Sequence, residues 1–310
     1  MSDTGRFRGV FAIPVTPFTD GGSLDEMSLA RCAEFIVAAG GHGIVGPVNA
    51  SESIVLTDAE RLRVAEILVE QAKGRVPVVI GVSGVSTEAS ALYAAHAARI
   101  GADSVIAMPP YVKHPGPGEL LDFYRAVAKA ADGLPVWVQN YVAPIGTPVS
   151  AAVVASIIEQ VPNVDFVKEE TATAPQVMSQ VAALAGDKVK GMMGGMAGRY
   201  LLEEVRRGAC GTMPACEVTD AHVAVWNALE RDPDEGRRLH GQLLPLLNYE
   251  AMYSFTIYKE VLYRRGVIAS PKTRVPGAGK LDAENGRELD ILLRDLEPLM
   301  TLGLIPDLSV

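Results

Sequence analysis

The sequence predicts an α/β fold, a TIM (β/α)8 barrel with a helical C-terminal extension. Three observations predict it. Short runs rich in Val and Ile alternate with amphipathic stretches from about residue 9 to residue 230. The runs number eight and each is followed by a helix-like segment, as a closed parallel barrel requires. Beyond Glu230 the alternation stops and three helix-like segments follow. The domain reading is a barrel over residues 1-230 and a helical extension packed on it over residues 231-310.

In chain order, the expected strands are Gly9–Val15, Gly43–Val48, Pro77–Ser83, Ser104–Met108, Pro135–Tyr141, Val164–Glu169, Val189–Met193 and Gly211–Pro214. Between them, helices are expected near Leu24–Ala39, Asp58–Lys73, Thr87–Ile100, Glu119–Ala131, Ala151–Gln160, Ala174–Ala185, Gly198–Arg207 and Thr219–Glu230. Thr57-Asp58-Ala59-Glu60 reads as a capping box, with the Thr57 hydroxyl on the third helical residue and Glu60 reaching back. Ala38-Ala39-Gly40-Gly41, Lys73-Gly74 and Arg207-Gly208 read as helix stops, since glycine accepts the left-handed conformation that ends a helix. The extension is expected to hold helices at Asp234–Asn248, Glu250–Gly266 and Ala283–Leu302. A doubly wound open sheet also alternates, but its phosphate loop G-x-G-x-x-G is absent after the first strand. The glycines between Gly191 and Gly198 have the wrong spacing for a dinucleotide and read as a tight turn.

Composition narrows the function. The chain has 310 residues, 48% hydrophobic and 21% charged, and a net charge of -9. Such acidity argues against a nucleic-acid partner, because phosphate backbones are held by basic stripes. Arg61-Leu62-Arg63, Arg206-Arg207, Arg237-Arg238 and Arg264-Arg265 are short, scattered pairs, expected on solvated helix faces. No run approaches the ~20 apolar residues that span a bilayer, and Met1 to Arg8 lack the apolar stretch of a secretory signal. Three scattered cysteines and five dispersed histidines offer neither a disulfide framework nor a metal site. The expectation is a reduced, cytoplasmic protein with no metal and no cofactor.

The residue that stands out is Lys168, an ammonium inside the apolar run Val164-Asp165-Phe166-Val167-Lys168-Glu169-Glu170-Thr171. A lysine there is costly unless it is paired or loses its proton, and a neutral amine is a nucleophile towards ketones. The alternative is a lysine on a solvent face, paired with Glu169 or Glu170. Period-two alternation puts Phe166, Lys168 and Glu170 on one face and Val167 and Glu169 on the other. If the first face points inward, the amine is enclosed by apolar walls. In such barrels the chemistry sits at the C-terminal strand ends. Thr16, Asn49, Ser51, Glu52, Ser83, Tyr111, His114, Gln139, Asn140, Tyr141, Lys168 and Glu170 all fall there.

Four segments, in order and on the right strands, carry a family resemblance: Gly9 to Phe18, Asn49-Ala50-Ser51-Glu52-Ser53, Met108-Pro109-Pro110-Tyr111, and Val167-Lys168-Glu169-Glu170-Thr171. With these the chain resembles the dihydrodipicolinate synthase / N-acetylneuraminate lyase superfamily of class I, Schiff-base-forming enzymes, from about Gly9 to Pro306. The resemblance implies that Lys168 forms an imine with a 2-oxo acid. It also implies that Asn49, Ala50 and Ser51 form the carboxylate-binding turn. Ser51 is the one hydroxyl left there, because the family's Thr-Thr-Gly-Glu pattern is altered. Tyr111, Asn140 and Gly194 complete the substrate-binding set.

The strand-five tyrosine that relays protons in the family is replaced by Gln139, and the arginine after that strand has no counterpart. These departures move the chain nearer the 2-keto-3-deoxy sugar acid dehydratase branch, with Gln139 to orient substrate hydroxyls and Glu170 as proton shuttle. The expectation is dehydration of an acid like 2-keto-3-deoxy-L-arabonate. The alternatives are pyruvate-dependent retro-aldol cleavage, a dihydrodipicolinate-synthase-like condensation, or a barrel that only senses a 2-oxo acid. The resemblance further implies a homo-oligomer, tetramer or dimer.

Overall fold

A computed structural model describes residues 5–303 and 308. Residues 1–4 of the expected N-terminal segment, and Pro306 at the end of the resemblance, lie outside the described residues. Eight parallel strands follow one another around a closed barrel in sequence order. They are β1 (Gly9–Ala12), β2 (Gly43–Gly46), β3 (Val78–Gly81), β4 (Ser104–Ala107), β5 (Val136–Tyr141), β6 (Val164–Glu170), β7 (Gly191–Gly194) and β8 (Gly211–Thr212). The chain divides into two compact units, one of Met1–Arg8 with Pro77–Met213 and one of Gly9–Val76 with Pro214–Val310.

The first unit carries β3 to β8 and helices α3 (Thr87–Arg99), α4 (Pro117–Ala130), α5 (Ala151–Gln160), α6 (Ala174–Ala185) and α7 (Leu201–Arg206). Its strands are buried almost throughout, which is why they read as unbroken apolar runs. On the inner face of β5 and β6, Trp137 stacks on Phe166 with ring centroids 4.6 Å apart. Phe7 meets both rings edge-on, at 5.9 and 5.2 Å. This aromatic layer lies two residues before Lys168 along β6 and gives the lysine an apolar floor.

The second unit holds β1, β2, α1 (Glu26–Ala38), α2 (Asp58–Ala72), α8 (Thr219–Arg231), α9 (Pro233–Tyr253), α10 (Phe255–Arg264) and α11 (Ala283–Leu296). The capping box at Thr57 forms as the sequence reads: Glu60 N–H donates to the Thr57 hydroxyl at 3.2 Å, and Thr57 N–H to the Glu60 carboxylate at 3.0 Å. The helix stops also hold, with Gly40, Lys73, Gly74 and Gly208 all at positive φ.

Three expectations need correction. The break in the extension lies at Ser254, whose φ of 47° ends α9, rather than near Asn248. The strands at Gly9 and Gly211 stop early, before Pro14 and Pro214, which have no N–H to offer a ladder. Arg61 and Arg265 do not sit on solvated faces. Arg265 is buried against Asp220, 2.8 Å away, because one face of α10 turns inward.

Candidate active site

All seven residues of β6 are buried, four of them charged. Alternation then decides where each charge goes. Lys168 and Glu170 share the inner face with Phe166, and the Lys168 amine lies 3.1 Å from Glu170 Oε2, the two side chains being 3% and 6% exposed. The register of β5 sets Gln139 beside Lys168 and Tyr141 beside Glu170. Gln139 donates its amide N–H to Glu170 Oε2 at 2.9 Å. Glu170 therefore receives the ammonium and the amide on one oxygen.

The loop after β7 is built around the other oxygen. A side chain at Gly195 would fall onto the Glu170 carboxylate. The next two residues, Met196 and Ala197, are left-handed, with φ of 51° and 57°. Non-glycine residues in that conformation cost about 1 kcal/mol each. The fold here aims the Met196 N–H at Glu170 Oε1, 3.4 Å away.

The outer face of the same strands is different. Glu169 accepts from Asn140 Nδ2 at 2.8 Å and from Thr171 N–H at 2.9 Å, and also from the Thr171 hydroxyl. Burial raises its pKa above the ordinary carboxylate value, against the pull of those hydrogen bonds. Behind β7, Glu204 of α7 is 1% exposed and neither carboxyl oxygen has a hydrogen-bond partner. Its pKa is pushed up to about 8, chiefly by burial and then by the charges of Glu170, Glu169 and Glu203. A buried carboxyl with no partner remains neutral near pH 7.

In the second unit, the segment after β2 makes one tight turn over Asn49–Ser51. Ser51 is fully buried. Its hydroxyl donates to Pro14 O at 2.7 Å and its N–H to Val48 O at 3.0 Å, while Thr16 donates to Ser51 O at 2.6 Å. Both donors of Ser51 are thus engaged, the N–H within the turn and the hydroxyl by Pro14 after β1. Asn49 and Ala50 are half-buried. Glu52 follows with φ of 54°, and its side chain makes no helix-capping bond. It instead forms a fully buried ion pair with Lys259 and accepts N–H groups from Arg274 and Val275 at 2.8 and 3.2 Å.

Of the residues singled out from sequence, the structure brings Lys168, Gln139 and Glu170 together. It turns Asn140 to the opposite face, where both ends of its amide are engaged by Val149 and Glu169. Asn140 was expected to touch substrate; its place as the neighbour of Gln139 on an alternating strand sends it outward. Gly194 faces outward as well, with the Glu204 carboxyl occupying the space of its missing side chain. Tyr111 is half-buried in the loop after β4, and His114 in that loop bonds Thr147 at 3.0 Å. Sequence reasoning missed Glu204, the Met196 N–H and Lys259. Each lies far along the chain from what it touches, and only the paired glycines at 194 and 195 hinted at crowding. Among the described residues no group of three or more His, Cys, Asp or Glu is arranged to hold a metal ion, and no helix is long and apolar enough to cross a membrane.

The inner-face arrangement can exchange a proton within a shielded pair. Once the proton moves from Lys168 to Glu170, a free amine stands beside an acid, a pairing that favours imine formation.

Comparison with known proteins points the same way. The sequence model of the Dihydrodipicolinate synthetase family matches residues 6–295. An L-2-keto-3-deoxyarabonate dehydratase of Azospirillum brasilense is 33% identical over 304 residues, covering 96% of this chain and 97% of that protein. A 4-hydroxy-tetrahydrodipicolinate synthase of Methanothrix thermoacetophila is 31% identical over 291 residues, covering 93% and 97%. Among solved structures, the dihydrodipicolinate synthase of Rhodopseudomonas palustris superposes with a TM-score of 0.85 at 26% identity, covering 94% of this chain and 98% of that one.

Proposed function

The chain belongs to the dihydrodipicolinate synthetase family, whose members are Schiff-base-forming lyases acting on small 2-oxo acids, and from that premise we propose that it dehydrates a 2-keto-3-deoxy sugar acid through an imine on Lys168. The observation that carries this reading is the Lys168–Glu170–Gln139 cluster, in which a carboxylate rather than a phenol stands 3.1 Å from the amine.

The neutral Lys168 amine attacks C2 of the substrate, and loss of water leaves a protonated imine. That imine draws electrons from C3 and acidifies its protons. Glu170, hydrogen-bonded by Gln139, removes one C3 proton to give the enamine. The enamine electrons then expel the C4 hydroxyl, which takes the same proton back from Glu170 and leaves as water. A proton lost from C5 and one gained at C3 turn the unsaturated imine into the C5 enol, which becomes the aldehyde, and hydrolysis of the imine then frees Lys168. For the loss of water one carboxyl serves as base and then as acid.

Gln139 has an amide N–H committed to Glu170 and a carbonyl to orient a substrate hydroxyl. Asn49 and Ala50 are assigned the substrate carboxylate, with Ser51 as buttress of their turn. Tyr111 and the Gly194 backbone are assigned substrate contacts at the rim. Asn140 supports the site from behind through Glu169. The same reading makes the protein a cytoplasmic homo-oligomer with a barrel over residues 1-230 and its extension over 231-310, and three free thiols suit that compartment.

A second reading is retro-aldol cleavage, favoured by Tyr141, whose inner-face position beside Glu170 could take the C4 hydroxyl proton. A panel of 2-keto-3-deoxy acids separates the two. The dehydratase releases a semialdehyde of the 2-oxoglutarate type, and the aldolase releases pyruvate. Glu170→Gln is expected to lower dehydration by about 10²–10⁴-fold while borohydride still traps the substrate on Lys168. Pyruvate as the product would refute the dehydratase assignment, and full dehydration by Glu170→Gln would refute Glu170 as its proton shuttle.

A further inference from the structure

Two consecutive glycines end β7 and begin its loop, and each has a carboxyl where its side chain would be. Neighbouring residues of a strand face opposite ways. Gly195 opens towards the inner face, and the Glu170 carboxylate fills that space. Gly194 opens towards the helices, and the Glu204 carboxyl fills that one. The backbone of Gly194-Gly195 is therefore a thin partition with an acid on each side. Any larger residue at either position would push its carboxyl away.

Glu204 has no structural task to explain its burial. It is 1% exposed and its oxygens bond nothing among the described residues. An apolar side chain would fill the same volume without the desolvation cost. The charged groups around it are few. β6 presents Glu169 and Glu170, with Lys168 paired to the latter. Its own helix presents Glu203, which is paired with Arg207 at 2.8 Å, and Arg206, which is exposed. The other elements packed against α7, namely α6, β7 and β8, carry no charged side chain.

We propose that Glu204 is a positioning residue that controls the proton balance of the Lys168–Glu170 pair through the Gly194-Gly195 partition, permitting imine formation while it is neutral and hindering it once ionised. The inference rests on Lys168 as the imine-forming residue. With Glu204 neutral, Lys168 and Glu170 balance one another, and a proton can leave the amine. With Glu204 ionised, the shielded cluster gains a second negative charge. The proton is then held on the amine, and the nucleophile is withdrawn.

The test follows borohydride-trapped pyruvate on Lys168 across pH, in the full chain and in Glu204→Gln and Glu204→Leu. Since Glu204 titrates near 8, the ratio of wild-type to variant trapping rate is expected to fall about tenfold between pH 7 and pH 9. Taking the ratio leaves only the part of the Lys168 titration that depends on Glu204. Both variants are expected to behave alike, because neither can ionise, and a purely structural role would alter stability without moving this ratio. A ratio that stays constant with pH, for either variant that folds, overturns the proposal while leaving the imine reading intact. Absence of adduct in every protein at every pH overturns both.

Discussion

Two buried lysine–glutamate pairs, one in each unit, serve opposite ends. In the second unit, Lys259 and Glu52 are wholly buried and each has several partners. Lys259 bonds Glu52 and donates to Lys272 O at 2.7 Å, and it sits 4.2 Å over the Phe18 ring. Glu52 accepts two further N–H groups. Burial depresses the Lys259 pKa in spite of Glu52. In the first unit, Lys168 has Glu170, and Glu170 shares its oxygens with an amide and one long N–H contact. The first pair is a closed joint that pins the residue after the β2 turn. The second is a paired but under-tied ammonium at the end of a strand, above an aromatic floor. The difference teaches that burial alone does not mark a reactive lysine; what matters is whether its other donors are already engaged.

The comparison is most directly broken by replacing each lysine with methionine. Lys168→Met is expected to abolish the reducible adduct and lower turnover by at least ~10³-fold, with a smaller loss of stability than Lys259→Met because Gln139 still holds Glu170. Lys259→Met is expected to do the reverse. It leaves Glu52 charged, buried and short of its partner, at a cost of about 3–5 kcal/mol, measurable by denaturant unfolding. Pairing it with Glu52→Gln should recover part of the loss. If Lys168→Met destabilises the chain as severely as Lys259→Met, both pairs are structural and the distinction fails.

A smaller effect probes the segment over Lys259. Arg274 bonds Glu60 at 2.7 Å and holds its pKa down to about 2. A carboxyl depressed in the folded state contributes stability above its unfolded value near 4.5. That stability is lost as pH falls from there towards 2. The pair is about one-fifth exposed, so the contribution is roughly 1 kcal/mol. Glu60→Gln should flatten the acid limb of stability by that amount, read from urea midpoints between pH 5 and pH 2. An unchanged limb would show that Arg274 is held by its bonds to Gly22 O instead.

Much of this was legible in the residues. Alternating apolar runs and helix punctuation determine the barrel, because burial on both strand faces and the glycine stops leave local signatures. Period two determines that Lys168 and Glu170 share a face, and the register partner Gln139 was legible as the residue standing where a relay phenol is usual. Tertiary structure alone decided which way that face points, that the Ser51 hydroxyl is spent on Pro14 O, and that Lys259 and Glu204 are buried. The physical reason is range. Strand alternation and helix caps are set by neighbours a few positions apart, whereas an ion pair across 207 positions of sequence (52 to 259) or a carboxyl behind a glycine partition exists only once strands and helices have come together.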